Sequence, residues 1–406
     1  MRTQHTESLP LGWRIVRLGD VAEHCLGKML DAKKNKGTPF PYLRNPNVRW
    51  FKIDLSDLQE MPFEEHELDR YGLLDGDVVV CEGGEAGRAA IWSSIIPNVK
   101  FQKAIHRVRV GPELLNRYLV YKLMADHQSG RLMDYFTGAT IKHLTGQDLD
   151  RYEFPLPPLP EQRRIADVLD RAEALRAKRR AALAELDGLD VSIFRNMFTN
   201  PGSETLSVAP ISALAADSPN SIRTGPFGSQ LLHSEFQNEG IAVLGIDNIV
   251  HNYFEQGKIR RISQRKYQEL KRYTVHSGDV LISIMGTCGR CAIAPRHIEL
   301  SINTKHLCCI TLDRGKCIPE YLRACFLWHP QVQYLLGVRE RGAVMPGLNM
   351  QLIKELQIPV PPLALQQEFA RRVAAVERLK AVQRASLAEL DALFASLQDR
   401  AFRGAL

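Results

Sequence analysis

The chain has 406 residues, 45% of them hydrophobic and 24% charged, which is the composition of a soluble globular protein long enough for two domains. It contains no run of about 18 apolar residues, and no apolar leader precedes Trp13, so we expect neither a membrane span nor an export signal. We therefore expect a cytoplasmic protein. The net charge of +7 permits a polyanionic partner without requiring one.

The first part of the chain, residues 1–155, alternates short apolar runs with glycine and proline punctuation. DVVVCEGGEAGRAAIW at 77–92 has the pattern of a strand, a glycine-rich turn and a second strand. Helical spacing of apolar residues follows at 116–136. These patterns predict one α+β domain over residues 1–155.

Residues 156–200 have a different character. Prolines open the segment, where they suit the first turn of a helix, and Gly188 is the only glycine between Glu161 and Phe198. The apolar residues that follow form a heptad-like stripe. We therefore predict one long helix over residues 156–200.

The second half of the chain repeats this order. Residues 201–359 again mix short strands with glycine-rich turns, and DVLISIMGTCGRCAIA at 279–294 is the matching strand–turn–strand pattern. A second amphipathic segment predicts a second long helix over residues 360–406. The fold class predicted is therefore α+β, with two similar domains in tandem and a long helix after each.

Matched stretches indicate that this order is an internal duplication. AELD occurs twice, FPLPPLPEQ lies over IPVPPLALQ, and Gly-Asp-Val recurs, all at nearly the same offset. The matched starting points are Ala184 and Ala388, Phe154 and Ile358, and Gly76 and Gly278. The sequence therefore predicts two copies of a unit of about 200 residues.

One amphipathic helix in each copy cannot bury its apolar stripe alone. The predicted helices at 156–200 and 360–406 most economically pack on each other as an antiparallel coiled coil, with the two copies related by a pseudo-twofold axis. The alternative is that each helix folds back on its own domain.

The cysteines are unevenly placed, with six of the eight between Cys288 and Cys325. In a large chain without an export signal they indicate reduced thiols. Cys288 and Cys291 have zinc-ligand spacing, but a second pair at suitable spacing is absent, and Ala86 and Ala89 stand at the matching positions of the first copy. We predict no metal site.

The chain lacks the sequence motifs of common catalytic sites. It has neither a GxxxxGK[ST] phosphate loop nor a zinc-binding HExxH helix, and HELDR at 66–70 lacks the second histidine. No dinucleotide fingerprint surrounds GPFGS at 225–229. We therefore predict a binding protein with no catalytic residue and no cofactor of its own.

Basic side chains at matching places indicate what is bound. Arg88 and Arg290 follow the glycine-rich turns, and Lys103 and Lys305 lie in FQKAIHRVRV and NTKHLCCITL. Duplex DNA requires such cations at its phosphates. The residues that we expect near DNA are Arg88, Lys103 and Lys142 in the first copy and Arg223, Arg290, Lys305 and His306 in the second. The alternative for each is a solvated surface charge.

Four stretches of the sequence are typical of one protein family. They are WRIVRLGDVAE at 13–23, GPFGS at 225–229, the GDVV and GDVL strands, and GATIKHLTGQDLDRYEFPLPPLPEQRRIADVLD at 138–170. With them the chain resembles, over essentially its whole length, the specificity subunit of type I restriction–modification enzymes. The second copy departs from the pattern where PPLALQQEF replaces PPLPEQRRI.

The resemblance implies two target-recognition domains, each reading one half of a split, asymmetric DNA sequence. It also implies paired antiparallel helices that act as a spacer and dock two modification subunits. S-adenosylmethionine-dependent adenine methylation would belong to those subunits, and ATP and magnesium to separate restriction and translocase subunits. Because the two front domains differ in sequence, their half-sites should differ too.

Two other functions remain open on the sequence. A nuclease or methyltransferase with a divergent active site would cut or methylate DNA unaided. A protein-binding scaffold, with the helices as its functional part, would show no DNA sequence preference when assembled with its partners.

Overall fold

The computed structural model describes residues 9–31, 35–140, 142–199, 206–257, 259–337 and 348–406. The chain divides into two compact units. The first unit is Met1–Ala181 together with Ala385–Leu406, and the second is Ala182–Arg384. Each unit therefore combines one front domain with parts of both long helical segments. No helix in these described ranges is both long enough and apolar enough to cross a bilayer.

The first unit is built around a central antiparallel sheet with the strand order β2-β10-β7-β8. A second sheet has the order β6-β3-β9, with β3 and β9 parallel, and β1 pairs with β11 and β4 with β5. The strands are β1 (Arg14–Arg17), β2 (Ala22–Leu26), β3 (Thr38–Leu43), β4 (Val48–Arg49), β5 (Lys52–Ile53), β6 (Gln59–Phe63), β7 (Val78–Cys81), β8 (Ala89–Ile91), β9 (Lys100–Phe101), β10 (Ile105–Val110) and β11 (Glu153–Leu156). The helices are α1 (Leu18–Val21), α2 (Asn116–Gln128), α3 (Gly146–Asp150) and α4 (Leu159–Leu186), the last of which ends in the second unit.

The second unit repeats this topology. Its central sheet has the order β13-β19-β16-β17, its second sheet β15-β14-β18 again contains one parallel pair, and β12 pairs with β20. The strands are β12 (Val208–Pro210), β13 (Ile222–Thr224), β14 (Ile241–Leu244), β15 (Arg260–Ile262), β16 (Val280–Ser283), β17 (Cys291–Ile293), β18 (Ser301–Asn303), β19 (Leu307–Ile310) and β20 (Gln357–Pro359). The helices are α5 (Leu189–Phe198), α6 (Ile211–Leu214), α7 (Gln264–Leu270), α8 (Pro319–Trp328), α9 (Pro330–Leu335), α10 (Met350–Glu355) and α11 (Leu363–Arg403), which ends in the first unit.

The predicted strand–turn–strand patterns are confirmed in both units. β7 and β8 flank the first glycine-rich turn, and β16 and β17 flank the second. All four residues of β7 and all four of β16 are buried, as expected for apolar strands with a neighbour on each side. The repeated strand order confirms that the chain contains two similar α+β domains.

The prediction of a single helix over 156–200 is wrong in one respect. The segment forms two helices, α4 and α5, and Gly188 stands between them with φ = +86°. A left-handed φ cannot continue a right-handed helix, and glycine adopts it without steric cost. The one glycine in the segment is therefore the residue at which the helix breaks.

The core of the first unit includes both long helices. Ile165 and Leu169 of α4 belong to the buried cluster around Tyr118, and so do Phe394 and Ala401 of α11. The start of α4 thus folds onto its own front domain and also shares a core with the end of α11. The first unit thus contains contacts of both kinds, between α4 and its own domain and between α4 and α11, and the antiparallel coiled coil stays a prediction.

The second unit is organised in the same way. Phe194 and Phe198 of α5 pack edge-on against Phe369 of α11, at ring-centroid distances of 5.8 and 5.5 Å. Phe198 also contacts Tyr321 of α8 at 4.9 Å. The aromatic cluster therefore joins both helical segments to the front domain of this unit.

We expect His106 to make the first unit sensitive to acid. Its side chain is fully buried on β10, its Nε2 lies 2.8 Å from the Leu144 carbonyl oxygen, and burial lowers its pKa from 6.5 to about 4. The unfolded chain binds a proton below about pH 6.5 and the folded one only near pH 4, so the stability present above pH 6.5 is lost as the pH falls. We expect the free energy of unfolding to drop by about 3 kcal/mol through this residue by about pH 4.

Urea unfolding at several pH values checks this prediction. The His106→Gln variant should lose about 3 kcal/mol less on acidification than the unchanged chain. His66→Gln is the matched control, because the His66 side chain is 75% exposed. Parallel pH profiles for the unchanged chain and the His106→Gln variant would contradict the prediction.

Candidate nucleic-acid interface

Backbone hydrogen bonds join three loops at one end of the central sheet of the first unit. The Glu82 amide donates to the Ala104 carbonyl at 2.9 Å, and the Leu144 amide donates to the Glu82 carbonyl at 2.7 Å. The loops therefore lie side by side. We call them the loop edge of the first unit, which comprises residues 82–88, 102–104 and 142–144.

The second unit has an equivalent loop edge. The Ile284 amide donates to the His306 carbonyl at 2.9 Å, and the Leu348 amide donates to the Ile284 carbonyl at 2.9 Å. This loop edge comprises residues 284–290, 304–306 and 348. Residues 338–347, which precede Leu348, lie outside the described part of the chain.

The glycines of the two glycine-rich turns have similar backbone angles. Gly84 and Gly87 have φ values of +73° and +86°, and Gly286 and Gly289 have +70° and +80°. Side-chain-bearing residues rarely adopt these values, so the glycines are required by the turn. The turns therefore present the next residue, Arg88 or Arg290, in the same place.

The predicted lysines lie on the loop edges. Lys103 and Lys142 are exposed, and the Lys142 Nζ donates to the Gly138 carbonyl at 3.0 Å. Lys305 and His306 are half-buried on the second loop edge. Burial lowers the pKa of His306, and the neighbouring positive charge of Lys305 lowers it further, so its ring is neutral at neutral pH. The structure thus brings these four residues to the expected loops.

Arg88 lies on the first loop edge, but its guanidinium points inward. The side chain is only 9% exposed, and its Nη1 donates to Glu85 at 2.5 Å. Its Nη2 donates to the Asn45 side-chain oxygen at 2.7 Å and to the Asn45 carbonyl at 3.0 Å. The expectation that Arg88 contacts DNA is therefore corrected. Its guanidinium stabilises the turn, because Glu85 and Asn45 already accept the hydrogen bonds that it could otherwise donate to a phosphate.

Arg290 has the same backbone position as Arg88 but different surroundings. Ile246 and Thr287 stand where the first unit has Asn45 and Glu85, so both partners of the buried arginine are replaced. Arg290 is half-buried, and within the described ranges its side chain has no hydrogen bond or ion pair. Of the two turn arginines, Arg290 is the one whose guanidinium can bind a ligand.

Arg223 is also an interior residue, contrary to expectation. It is 7% exposed, and its Nη2 donates to the Asp279 carboxylate at 2.6 Å and to the Thr274 carbonyl at 2.5 Å. Its Nη1 donates to the Asn220 carbonyl and the Thr311 hydroxyl at 3.0 and 2.9 Å. Every outer nitrogen of the guanidinium is occupied, so the placement gives Arg223 a structural role and not a DNA contact.

An exchange across paired strands separates Arg223 from its structural counterpart in the first unit. In the first unit, Arg107 on β10 stands opposite Cys25 on β2, and its guanidinium donates to the Gly72 carbonyl at 2.8 Å. In the second unit the types are exchanged, with Cys309 on β19 opposite Arg223 on β13. The buried arginine therefore lies on β10 in the first unit but on β13, the counterpart of β2, in the second. A search for basic residues at equal offsets cannot recognise such a pair.

Two carboxylates on the first loop edge were missed by the sequence analysis, which considered only basic groups. Glu85 is 46% exposed, and a carboxylate oxygen of Glu82 lies 3.1 Å from the His143 Nδ1. Ile284 and Thr287 stand at the matching positions of the second unit. The sequence does contain this signal. Aligning EGGEAGR at 82–88 with IMGTCGR at 284–290 shows that the two glutamates occur in the first copy only.

The described residues offer no metal site. No group of three or more histidine, cysteine, aspartate or glutamate side chains among them could hold an ion. Cys291 is fully buried, and burial raises the pKa of its thiol to about 12, whereas Cys288 is half-buried. Within these ranges the pair has no further ligand.

Comparisons with known proteins point in one direction. The family model described as the type I restriction modification DNA specificity domain matches residues 10–185 and 230–392. The type I restriction enzyme EcoBI specificity subunit of Escherichia coli is 23% identical, covering 83% of this chain and 75% of that protein. The StySPI specificity subunit of Salmonella potsdam is 22% identical, covering 98% of this chain and 90% of that protein.

A solved structure shares the fold. A chain from a study of complex assembly and conformational transition of the type I R-M system superposes with a TM-score of 0.63 at 20% identity, covering 98% of this chain and 99% of that one. The family model covers both halves of the chain, including both strand–turn–strand motifs. The chain therefore belongs to the type I restriction–modification DNA specificity domain family.

Proposed function

We propose that this chain is the DNA sequence-specificity subunit of a type I restriction–modification enzyme and carries no catalytic machinery of its own. Each front domain reads one half of a bipartite, asymmetric sequence. One observation carries the proposal. The strand order is the same in both units, but the residues on the two loop edges differ. Two related domains with different loops suit two different half-sites.

The helices provide the framework of this proposed assembly. In the first unit the Arg176 guanidinium donates to Asp391 at 2.6 Å, and the Arg164 guanidinium donates to the Leu406 carbonyl at 3.1 Å. From Arg164 to Arg176 along α4, the partner residue changes from Leu406, just after α11, to Asp391 within α11, which is the order expected of antiparallel helices. These contacts support the antiparallel pairing of the two helices that we propose.

The same helices dock two modification subunits in this proposal. Leu175 of α4 is 52% exposed and Leu393 of α11 is 50% exposed, and Leu379 and Val382 of α11 are exposed as well. Exposed apolar side chains on long helices suit coverage by a partner protein. The modification subunits would bring S-adenosylmethionine, restriction and translocase subunits would bring ATP and magnesium, and the assembly would act on cytoplasmic DNA.

Methylation mapping tests the proposed function. DNA from cells that express this chain with its modification partners should carry adenine methylation in a bipartite, non-palindromic motif. DNA from cells that lack only this chain should not. Methylation that persists without the chain, or cleavage or methylation by the purified chain alone, would contradict the proposal.

The lysines of the loop edges should contribute phosphate contacts. We expect Lys103→Ala or Lys305→Ala to weaken DNA binding by the assembled complex and to reduce the slope of log K against log salt by about 1. Fluorescence anisotropy over a salt series measures both quantities. The control is Lys316→Ala, because Lys305 precedes β19 and Lys316 follows the other end of this strand. Equal slopes for the loop-edge and control variants would remove these lysines from the interface.

A further inference from the structure

The two loop edges present opposite hydrogen-bonding groups at one equivalent place. We propose that the first unit reads a base amino group with the Glu85 carboxylate, and that the second unit reads guanine with the Arg290 guanidinium. This inference rests on the proposed function and deepens it, because it names the class of base that each unit recognises. It follows from the contacts of two equivalent turns whose glycines have similar φ values.

In the first unit the arginine is bound and the carboxylate is available. Asn45 and Glu85 hold the Arg88 guanidinium, which is 9% exposed, whereas the Glu85 side chain is 46% exposed. One Glu85 oxygen contacts Arg88 at 2.5 Å, and the other lies 4.0 Å from the His127 Nε2. The turn therefore presents an acceptor at the surface and keeps its donor inside.

In the second unit this relation is reversed. Thr287 is exposed and cannot form an ion pair, and Ile246 offers Arg290 no polar group. The Arg290 amide donates to the Ser283 hydroxyl at 2.9 Å, which fixes the backbone at the root of the side chain. Within the described ranges the guanidinium keeps all its donors free for a ligand. The turn therefore presents a donor at the surface.

The chemistry of DNA decides what each group can bind. A surface carboxylate is repelled by phosphates, and the direct contact that it can make with a duplex is to a base amino group, as glutamate accepts from cytosine N4. An arginine that can approach the major groove binds the O6 and N7 atoms of guanine with both of its outer nitrogens. The two half-sites should accordingly contain a cytosine or adenine amino group and a guanine, respectively.

Conservative substitutions in the assembled complex test this assignment. Glu85→Gln replaces one acceptor oxygen of the carboxylate with an amide donor. Arg290→Lys keeps the positive charge but removes the paired N–H donors of the guanidinium. We expect each variant to lose roughly tenfold in preference at a single base pair, in one half-site only. Methylation mapping, followed by binding to duplexes substituted at each position, measures the preference.

Matched controls separate base reading from general electrostatics. Glu60→Gln and Arg265→Lys change exposed residues elsewhere in the same units and should leave both half-sites unchanged. A uniform change in affinity over all sequences, with every base preference retained, would assign Glu85 or Arg290 to the backbone and overturn the inference. Absence of any bipartite motif with the unchanged chain would instead overturn the proposed function, so the two failures are distinguishable.

Discussion

Replacing Gln366 with methionine should lower the free energy of unfolding of the second unit by about 3 kcal/mol or more. Gln366 is fully buried in the first turn of α11. Its Oε1 accepts from the Ile318 amide at 3.0 Å, and its Nε2 donates to the Lys316 carbonyl at 3.1 Å and to the Pro361 carbonyl at 2.9 Å. Methionine has a similar volume but leaves all three backbone groups without a partner.

Chemical denaturation of the purified protein measures the loss. Gln367→Met is the matched control, because its neighbour Gln367 is exposed and the same residue types are exchanged. The control should change the stability by less than about 0.5 kcal/mol. Equal midpoints for the two variants would show that the buried amide does not stabilise the junction between the front domain and α11.

The same buried glutamine occurs in the first unit. Gln162 is fully buried in the first turn of α4, accepts from the Leu115 amide at 2.7 Å, and donates to the Glu113 and Pro157 carbonyls, both at 2.8 Å. Gln162 and Gln366 are the residues that PPLPEQ and PPLALQ share at this point. The repeated motif is therefore the sequence signature of the junction between each front domain and its helix. The positions at which PPLALQ differs from PPLPEQ leave the hydrogen bonds of the glutamine unchanged.

Replacing Gly225 with alanine should reduce the affinity of the assembled complex for its DNA by roughly tenfold or more. Gly225 follows β13, and a Cβ atom there would overlap the Asn303 carbonyl oxygen and the Thr304 carbonyl carbon. Both obstacles are backbone atoms, so the segment itself must move. That segment carries Lys305 and His306, which we place in the DNA interface.

Binding to the mapped recognition sequence, with thermal unfolding as a check on folding, measures this effect. Gly245→Ala is the control, because a Cβ atom on Gly245 would meet no atom within 4 Å. Gly27 of the first unit approaches the Gln102 backbone in the same way, so Gly27→Ala should have a similar effect. Wild-type affinity in a folded Gly225→Ala variant would contradict the assignment of residues 304–306 to the interface.

Much of the fold follows from local patterns. Apolar β-branched runs beside Gly84 and Gly286 predict buried strands and tight turns, and both were found where expected. The helix break at Gly188 was harder to predict, because an isolated glycine inside a helical pattern is often tolerated. In this chain the glycine adopts a left-handed φ of +86°, and α4 and α5 are separate helices.

The candidate site was predicted less completely than the fold. Lys103, Lys142 and Lys305 lie on the loop edges, but Arg88 and Arg223 are bound inside by partners that are distant along the chain. Asn45, which holds Arg88, is separated from it by several strands, and nothing in the local sequence links the two. Similar basic residues at equal offsets therefore do not reveal whether a guanidinium faces solvent.

The sequence by itself determined the duplication, the α+β class and the family, because these depend on repeated motifs and on short-range apolar periodicity. Only the tertiary structure decided which basic side chains are available, because availability depends on partners brought together by strand pairing and turn geometry. The exchange of Arg107 and Cys25 for Cys309 and Arg223 illustrates the reason. A buried guanidinium needs acceptors in space, and the fold can supply the arginine from either of two neighbouring strands.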